Sequence, residues 1–235
     1  MPSNRGPDLP YSIIASVTPC PGGWLVTSAK LHAATFSPED SRVLPKFSEI
    51  FEERPQFAVI ALNAPIGYPD DPAEPRTCDR GARELLGRRS MTVRNAPIRS
   101  TLEAGMVRAD EHLDAISLNL LPRYCEVAAE MLPFRQRTVY EVHPELSFYV
   151  INGDTPLKRS KKTEEGIMER RALLEKRIPG VKRILDNPLR GVPLSHLYDS
   201  AAMLWTARRI FAKAATRIPT DPEWDSEGLR KEIVR

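Results

Sequence analysis

Runs of apolar residues separated by turn-forming residues predict several strands in the first quarter of the chain. Residues 11–17 (YSIIASV) and 24–28 (WLVTS) are apolar segments joined by the turn Cys20-Pro21-Gly22-Gly23, and residues 32–36 are a candidate third strand. Residues 57–62 (FAVIAL) are apolar without a break, as expected of a strand that is buried on both faces. The pattern predicts a hairpin or three-stranded meander followed by a central strand.

Other segments space their apolar residues at the helical period of 3.6. They predict helices over residues 44–53, 77–87, 103–131 with a bend at Pro122, 164–177 and 194–215. Thr77 is a candidate cap and Gly87 a suitable exit for the second of these helices. The helix over 194–215 has one apolar face, so we expect it to pack on the sheet. Residues 219–235 predict a proline-rich turn followed by a short helix.

The order of these elements predicts an α/β fold with a mixed sheet flanked by helices. We expect a flexible lead over residues 1–10, a domain over 11–218 with a helical insertion at about 76–132, and a C-terminal extension over 219–235. A chain of 235 residues is long enough for one large domain with an insertion.

The composition limits the class of protein and its possible partners but does not indicate a specific function. Hydrophobic residues make up 41% of the chain and charged residues 28%, which predicts a well-packed soluble protein. The net charge of +3 permits a nucleic-acid or nucleotide partner but does not require one. Three widely spaced cysteines predict reduced thiols, and the chain shows no apolar run of transmembrane length. We therefore expect a cytoplasmic protein with no membrane partner, in an oligomeric state that the sequence leaves open.

The strongest candidate site lies in residues 137–162, where a strand is followed by a helix. Residues 138–142 (TVYEV) have β-branched and aromatic side chains, and strand alternation puts Glu141 and His143 on one face, about 6–7 Å apart. Pro144 suits the first turn of the helix that follows. Ligands bind at such strand ends in α/β proteins. A second interpretation stays open, in which Glu141 pairs with a local arginine and His143 only caps the helix.

Three other features each allow a functional and a structural interpretation, and a fourth favours a structural one. Asp199, near the apolar side of its helix, is either an ion-paired core residue or a site residue. Lys161-Lys162 is either a phosphate-binding pair or an exposed basic pair. Residues 88–101, with four arginines, predict a solvated loop or a lid that contacts phosphate. Arg76, Asp79 and Arg83 follow helical spacing, which favours a surface ion-pair ladder.

Several motifs together resemble one family. They are CPGGW at 20–24, NAPIG at 63–67, RTCDR at 76–80, VYEVHPE at 139–145, SKKT at 160–163 and Asp199 followed by Trp205-Thr206-Ala207. In content and order they are similar to a family of unknown biological role described as predicted RNase H-like nucleases. The resemblance runs from about residue 11 to about residue 212.

The resemblance implies an RNase H-like fold and cleavage of nucleic-acid phosphodiesters with Mg²⁺ or Mn²⁺. Two hard cations about 4 Å apart need several anionic oxygens to hold them. Membership implies metal ligation by Glu141 and Asp199 with help from Asn63, and His143 as a further catalytic residue. It also implies substrate binding by Lys161, Lys162 and Arg76.

The chain departs from the family pattern at two acidic positions. Thr18 stands where the family has its first-strand aspartate, and Asn63 stands where the family has a second aspartate. Because two formal negative charges are missing, we expect a nuclease-derived protein whose phosphodiesterase activity is weak or lost. The alternative is a non-catalytic module that binds nucleic acid, a nucleotide or a protein partner through the same cleft.

Overall fold

A computed structural model describes residues 10–33, 35–103 and 113–235. The first nine residues of the predicted flexible lead and most of the first third of the predicted 103–131 helix lie outside the described residues. The strands are β1 (Ser12–Cys20), β2 (Gly23–His32), β3 (Thr35–Pro38), β4 (Arg42–Leu44), β5 (Val59–Leu62), β6 (Val139–Glu141), β7 (Arg217–Trp224) and β8 (Arg230–Val234). The helices are α1 (Thr77–Leu86), α2 (Arg99–Glu103), α3 (Ala115–Glu130), α4 (Pro144–Ile151), α5 (Glu164–Arg177), α6 (Lys182–Leu185) and α7 (Leu194–Phe211).

The main sheet is mixed, and its strands follow the order β3-β2-β1-β5-β6, with β4 also paired to β2. Strands β1, β2 and β3 form the predicted antiparallel meander, while β5 and β6 run parallel to β1. Helices flank the sheet, so the predicted α/β fold with a mixed sheet is confirmed. The predicted helix over 44–53 is shorter, a 3₁₀ segment over Phe47–Phe51.

Two apolar cores lie on the two faces of the sheet. On one face, α7 packs through Leu197, Ala201 and Leu204, as its apolar stripe predicts. Ser200 of the same helix meets Ser16 of β1 at 2.9 Å between hydroxyl oxygens, so a polar contact fixes the helix position within the core. The opposite face is covered by the 3₁₀ segment and by α3, with Trp24 fully buried between them.

The end of the chain is a β-hairpin, where the sequence predicts a short helix. Strands β7 and β8 pair antiparallel, and Ile218 and Ile233 pack against the buried face of α1. Asp225 accepts hydrogen bonds from the backbone N–H of Tyr68 at 3.1 Å and of Leu229 at 2.8 Å. The hairpin therefore braces the loop after β5, which carries part of the candidate site.

Candidate functional site

Three strands of the main sheet end at the same level. Val17 of β1 pairs with Leu62 of β5, and Leu62 pairs with Glu141 of β6. Paired residues in neighbouring strands share a face, and successive residues alternate between faces. The side chain of Glu141 therefore lies on the face with Val17 and Leu62.

Thr18 and Asn63 follow Val17 and Leu62 in the chain and lie on the other face, the one covered by α7. The backbone N–H of Asn63 donates to the Val17 carbonyl at 2.8 Å, which continues the parallel pairing beyond β5. The Asn63 side-chain amide donates to the Thr18 hydroxyl at 2.7 Å. The two positions at which the resemblance implies aspartates are thus hydrogen-bonded to each other.

A cavity of about 590 Å³ opens at these strand ends. Its volume is in the range of small-ligand sites. Among the residues that line it are most of the predicted site residues, namely Thr18, Asn63, Glu141, His143, Lys161, Lys162 and Asp199. The structure therefore brings together residues from β1, the loop after β5, the β6–α4 junction, the loop before α5, and α7.

Glu141 is held from behind the cavity by Arg76. The Arg76 guanidinium donates to both carboxylate oxygens, at 2.5 and 3.0 Å, and the backbone N–H of Ile66 donates to Oε2 at 2.6 Å. Burial raises the pKa of Glu141 to about 7, while the neighbouring Arg76 acts to lower it. Both oxygens of this carboxylate are occupied within the protein, as the ion-pair interpretation of Glu141 expects.

Arg76 itself does not reach the cavity. It is only 1% exposed, and its two terminal nitrogens also donate to Asp79 at 3.0 Å and to the Gly67 carbonyl at 3.1 Å. Asp79 is buried as well, so the predicted surface ion-pair ladder is wrong for these two residues. The guanidinium of Arg76 is therefore not accessible for the substrate contact that the resemblance implies. Arg76 also occupies the N-cap of α1, where Thr77 was the predicted cap.

Asp199 faces the cavity from α7 and binds Lys161. The Lys161 ammonium lies 2.5 Å from Oδ2, and the aspartate side chain is 4% exposed whereas that of the lysine is 33% exposed. Oδ1 of Asp199 is buried without a hydrogen-bond partner among the described residues. Asp199 and Glu141 thus line one cavity from opposite faces of the sheet, and each carboxylate has its own cation.

Two histidines lie beside this ion pair. His143 precedes α4, and its Nε2 lies 3.1 Å from the Thr92 carbonyl, which can only accept, so Nε2 carries the proton and Nδ1 is the acceptor. His196 lies one helical turn before Asp199. Burial lowers the pKa of both histidines. Neutral imidazoles are therefore favoured at both positions.

Glu145, in the first turn of α4, is the centre of a second buried ion cluster. Arg170 of α5 donates to Oε1 at 2.5 Å, and Arg89 donates to the same oxygen at 2.9 Å. Arg170 is fully buried and Glu145 is 3% exposed. The arginines hold the pKa of Glu145 below its usual value although burial opposes them. This carboxylate is ionised, and the two arginines balance its negative charge.

The basic segment 88–101 is partly structured and largely ion-paired, which differs from a solvated loop. Residues Gly87–Thr92 form a 3₁₀ segment, and Arg89 binds Glu145. Arg94 binds Asp114 and Arg99 binds Asp225. Arg89 and Arg94 line the cavity beside Met91, whose side chain is exposed. The segment forms one wall of the cavity.

The loop over residues 158–163, here called the lysine loop, is fixed to α5 by its backbone. Arg170 donates to the Arg159 carbonyl at 3.2 Å, and Glu169 accepts from the Arg159 N–H at 3.1 Å. Thr163 caps α5 by accepting from the Gly166 N–H at 3.2 Å. A Cβ at Gly166 would lie 1.8 Å from the Ser160 carbonyl oxygen, so only glycine allows this close approach. Lys161 and Lys162 are therefore presented from a rigid loop.

The donor set does not fit the Mg²⁺ or Mn²⁺ that the resemblance implies. In the described parts of the chain, no three His, Cys, Asp or Glu side chains lie close enough to hold one metal ion. Glu141 is saturated by Arg76 and Ile66, and Asp199 is paired with Lys161. The Asn63 amide is turned with its N–H toward Thr18. We therefore derive no chemical step through a metal at this site.

Sequence reasoning missed three of the residues at this site. His196 and Asp199 are three apart on one helix, a spacing that places them on the same face and could have indicated the pair. Arg170 lies in a charged helix, and no local signal distinguishes it from its exposed neighbours. Met91 lines the cavity as an exposed apolar side chain within a basic segment.

Comparison with protein-family models matches residues 8–224 to the family described as Protein of unknown function (DUF429). Comparisons with curated proteins and with solved structures gave no match. None of the helices in the described residues combines the length and the apolar character needed to cross a membrane.

Proposed function

We propose that this chain, which belongs to the DUF429 family, binds nucleic acid through the cavity without a metal ion and without cleaving it. In this account the protein descends from a metal-dependent phosphodiesterase and retains the cleft but not the ligands of the metals. The observation that carries the proposal is that every carboxylate among the described lining residues is already paired with a cation of the protein.

These pairs leave no anionic surface to repel a phosphate. Glu141 and Asp79 share Arg76, Asp199 binds Lys161, and the Glu145 cluster contains two arginines. Two divalent cations need an excess of negative charge, because neutral or neutralised ligands supply far less attraction. The same ion pairs that disfavour binding of metal ions therefore allow a phosphate to bind.

The lysine loop supplies the phosphate contacts. Lys162 is exposed at the edge of the cavity, and its ammonium has no ion-pair or hydrogen-bond partner among the described residues. Lys161 uses one ammonium donor on Asp199, which leaves two for a ligand. Because the loop is fixed before binding, little conformational entropy is lost when a phosphate arrives. A preorganised cationic edge favours binding of a phosphate-bearing strand.

The descent from a nuclease is supported by the fold and by the motifs. The resemblance implies acidic residues on the first strand, a central strand, a later strand and the last helix. The resemblance assigns these places to Thr18, Asn63, Glu141 and Asp199, and all four line the cavity, from the end of β1, the loop after β5, the end of β6 and α7. Two of the four are neutral and the other two are paired with cations.

The proposal is tested by fluorescence anisotropy with a labelled single-stranded oligonucleotide over a series of salt concentrations. We expect the affinity to fall as salt rises, because phosphate contacts release counterions. Lys162→Ala is expected to weaken binding severalfold and to reduce the salt slope by about one.

Lys176→Ala is the matched control. Lys176 is exposed on α5 and does not line the cavity, so the variant removes the same charge elsewhere. Equal losses in the two variants would mean that the net charge, and not the cavity edge, attracts the strand. Binding that is indifferent to salt would contradict phosphate contacts altogether.

A further inference from the structure

Five buried polar atoms without partners among the described residues belong to side chains that line this cavity. Four of them can accept a hydrogen bond, namely Oδ1 of Asp199, Oε2 of Glu145, Nδ1 of His143 and Nδ1 of His196, and the fifth is the donor Nε of Arg89. A buried polar atom that lacks a hydrogen bond costs about 1–3 kcal/mol. Asp199 and Glu145 are each only 3% exposed. Their concentration at one cavity indicates that a ligand supplies the missing hydrogen bonds.

The chemistry of three of these atoms is fixed. Both carboxylate oxygens are acceptors, because the other oxygen of each carboxylate forms an ion pair with a cation. Nδ1 of His143 is an acceptor because Nε2–H donates to Thr92. The ligand must therefore present hydrogen-bond donors.

A single metal cation does not satisfy all of these atoms, because no three His, Cys, Asp or Glu side chains of the described residues lie close enough to hold one ion. Separate donors on one larger ligand satisfy them instead. Sugar hydroxyls are such donors, and carboxylates bind ribose hydroxyls in many nucleotide sites.

The unpaired acceptor of Asp199 belongs to the carboxylate that binds Lys161, one of the two lysines proposed to hold a phosphate. Lys161 binds Oδ2 of the same carboxylate whose Oδ1 lacks a donor. A phosphate held by Lys161 and Lys162 would place the adjoining sugar beside Asp199. The ribose 2′-hydroxyl is the donor that distinguishes RNA from DNA at such a position.

We propose that the cavity selects ribonucleotides over deoxyribonucleotides, with the ribose 2′-hydroxyl donating to Oδ1 of Asp199. The inference rests on the proposed function and names the class of strand that the cleft holds. Glu145 and His143 accept from further donors of the same ligand. A hydrogen bond to a charged acceptor gives a preference of about tenfold or more.

The test compares three labelled strands of one sequence: RNA, DNA and RNA with 2′-fluoro sugars. The fluoro sugar keeps the ribose pucker and approximate size but cannot donate a hydrogen bond. We expect the wild-type protein to bind RNA about tenfold more tightly than either of the other strands. In Asp199→Ala the ratio of the affinity for RNA to the affinity for DNA is expected to fall to about one.

Other outcomes overturn the inference in distinguishable ways. Equal binding of RNA and DNA by the wild type contradicts ribose selection but leaves salt-dependent strand binding intact. Tight binding of the 2′-fluoro strand contradicts donation from the 2′-hydroxyl, and this result does not depend on whether the variant folds. A preference that survives in Asp199→Ala assigns the contact to another residue. Absence of binding by all three strands overturns the proposed function together with the inference.

Discussion

The side-chain amide of Asn63 donates a hydrogen bond to the Thr18 hydroxyl over 2.7 Å. The resemblance to RNase H-like nucleases implies aspartates at these two positions, where this chain has one neutral hydrogen bond. The result is a site that is stable without a metal ion.

Restoring both acids is expected to create a metal requirement. In Thr18→Asp/Asn63→Asp two carboxylates face each other at about 4 Å, and their repulsion amounts to about 4 kcal/mol at an effective dielectric constant near 20. The melting temperature of the double variant should fall in chelator and recover in millimolar Mg²⁺. Scanning calorimetry in both buffers measures the difference.

The single variant Asn63→Asp is the control, because the Thr18 hydroxyl can donate to one new carboxylate. It should show a much smaller response to Mg²⁺ than the double variant. The wild-type protein should show none. A wild-type melting temperature that already rises with Mg²⁺ would contradict the metal-free account.

Gly166→Ala is expected to displace the lysine loop. Its new methyl group would lie 1.8 Å from the Ser160 carbonyl oxygen, so the loop or the start of α5 must move. Overpacking of this kind costs about 1–3 kcal/mol. Urea unfolding should show that loss, and strand binding should weaken because Lys161 and Lys162 are no longer held in place.

Gly191→Ala separates this effect from backbone strain. A Cβ at Gly191 meets no atom within 4 Å, although its φ of +81° is unfavourable for alanine. The control variant should lose some stability and bind the strand normally. If Gly166→Ala binds as well as the control, the rigidity of the lysine loop does not matter for binding.

Arg170→Leu is expected to be one of the most destabilising single substitutions in the protein. It removes the fully buried one of the two arginines that bind Glu145, and losing one member of a buried ion pair costs about 3–5 kcal/mol. Arg171→Leu is the neighbouring control, because its ion pairs with Glu175 and Asp186 are exposed and such pairs contribute about 0–1 kcal/mol. Comparable losses in the two variants, measured by urea unfolding, would argue against a buried Glu145 cluster.

The contribution of His143 to the free energy of unfolding should decrease as the pH falls below about 6.5, the ordinary pKa of histidine. The pKa of His143 is lowered in the folded protein, so the unfolded chain takes up a proton first and protonation favours unfolding. The contribution of neutral His143 is present above that pH and declines until the folded pKa is reached. His143→Gln, whose amide can still donate to Thr92, should flatten the pH profile of the unfolding free energy. A profile identical to that of the wild type would contradict the assignment.

The spacing of apolar residues and the turn-forming residues predicted those helices and strands whose conformation is set by residues close in the chain. The helix predicted over 164–177 matches α5 (Glu164–Arg177), and the strand predicted over 138–142 contains β6, with α4 beginning at Pro144. The C-terminal helix was wrong because β8 is set by its pairing to β7 and by packing on α1. Those contacts are distant in sequence, and no local signal reports them.

The sequence predicted which residues line the site but not which hydrogen bonds and ion pairs they form. The motifs indicated that Thr18, Asn63, Glu141 and Asp199 approach one another, and all four line one cavity. Arg76 has surface spacing on its helix, yet it binds Glu141, 65 residues later in the chain. An ion pair between residues so far apart depends on the packed fold, so periodicity could not reveal that Glu141 is neutralised.

The most direct test of the account is a titration of the wild-type protein with a labelled RNA strand, once in chelator and once in millimolar Mg²⁺ at the same ionic strength. The account predicts binding of similar affinity in both buffers and an intact strand at the end of each titration. Binding that appears only with Mg²⁺, or cleavage of the strand in that buffer, would contradict the claim that this cleft works without a metal ion.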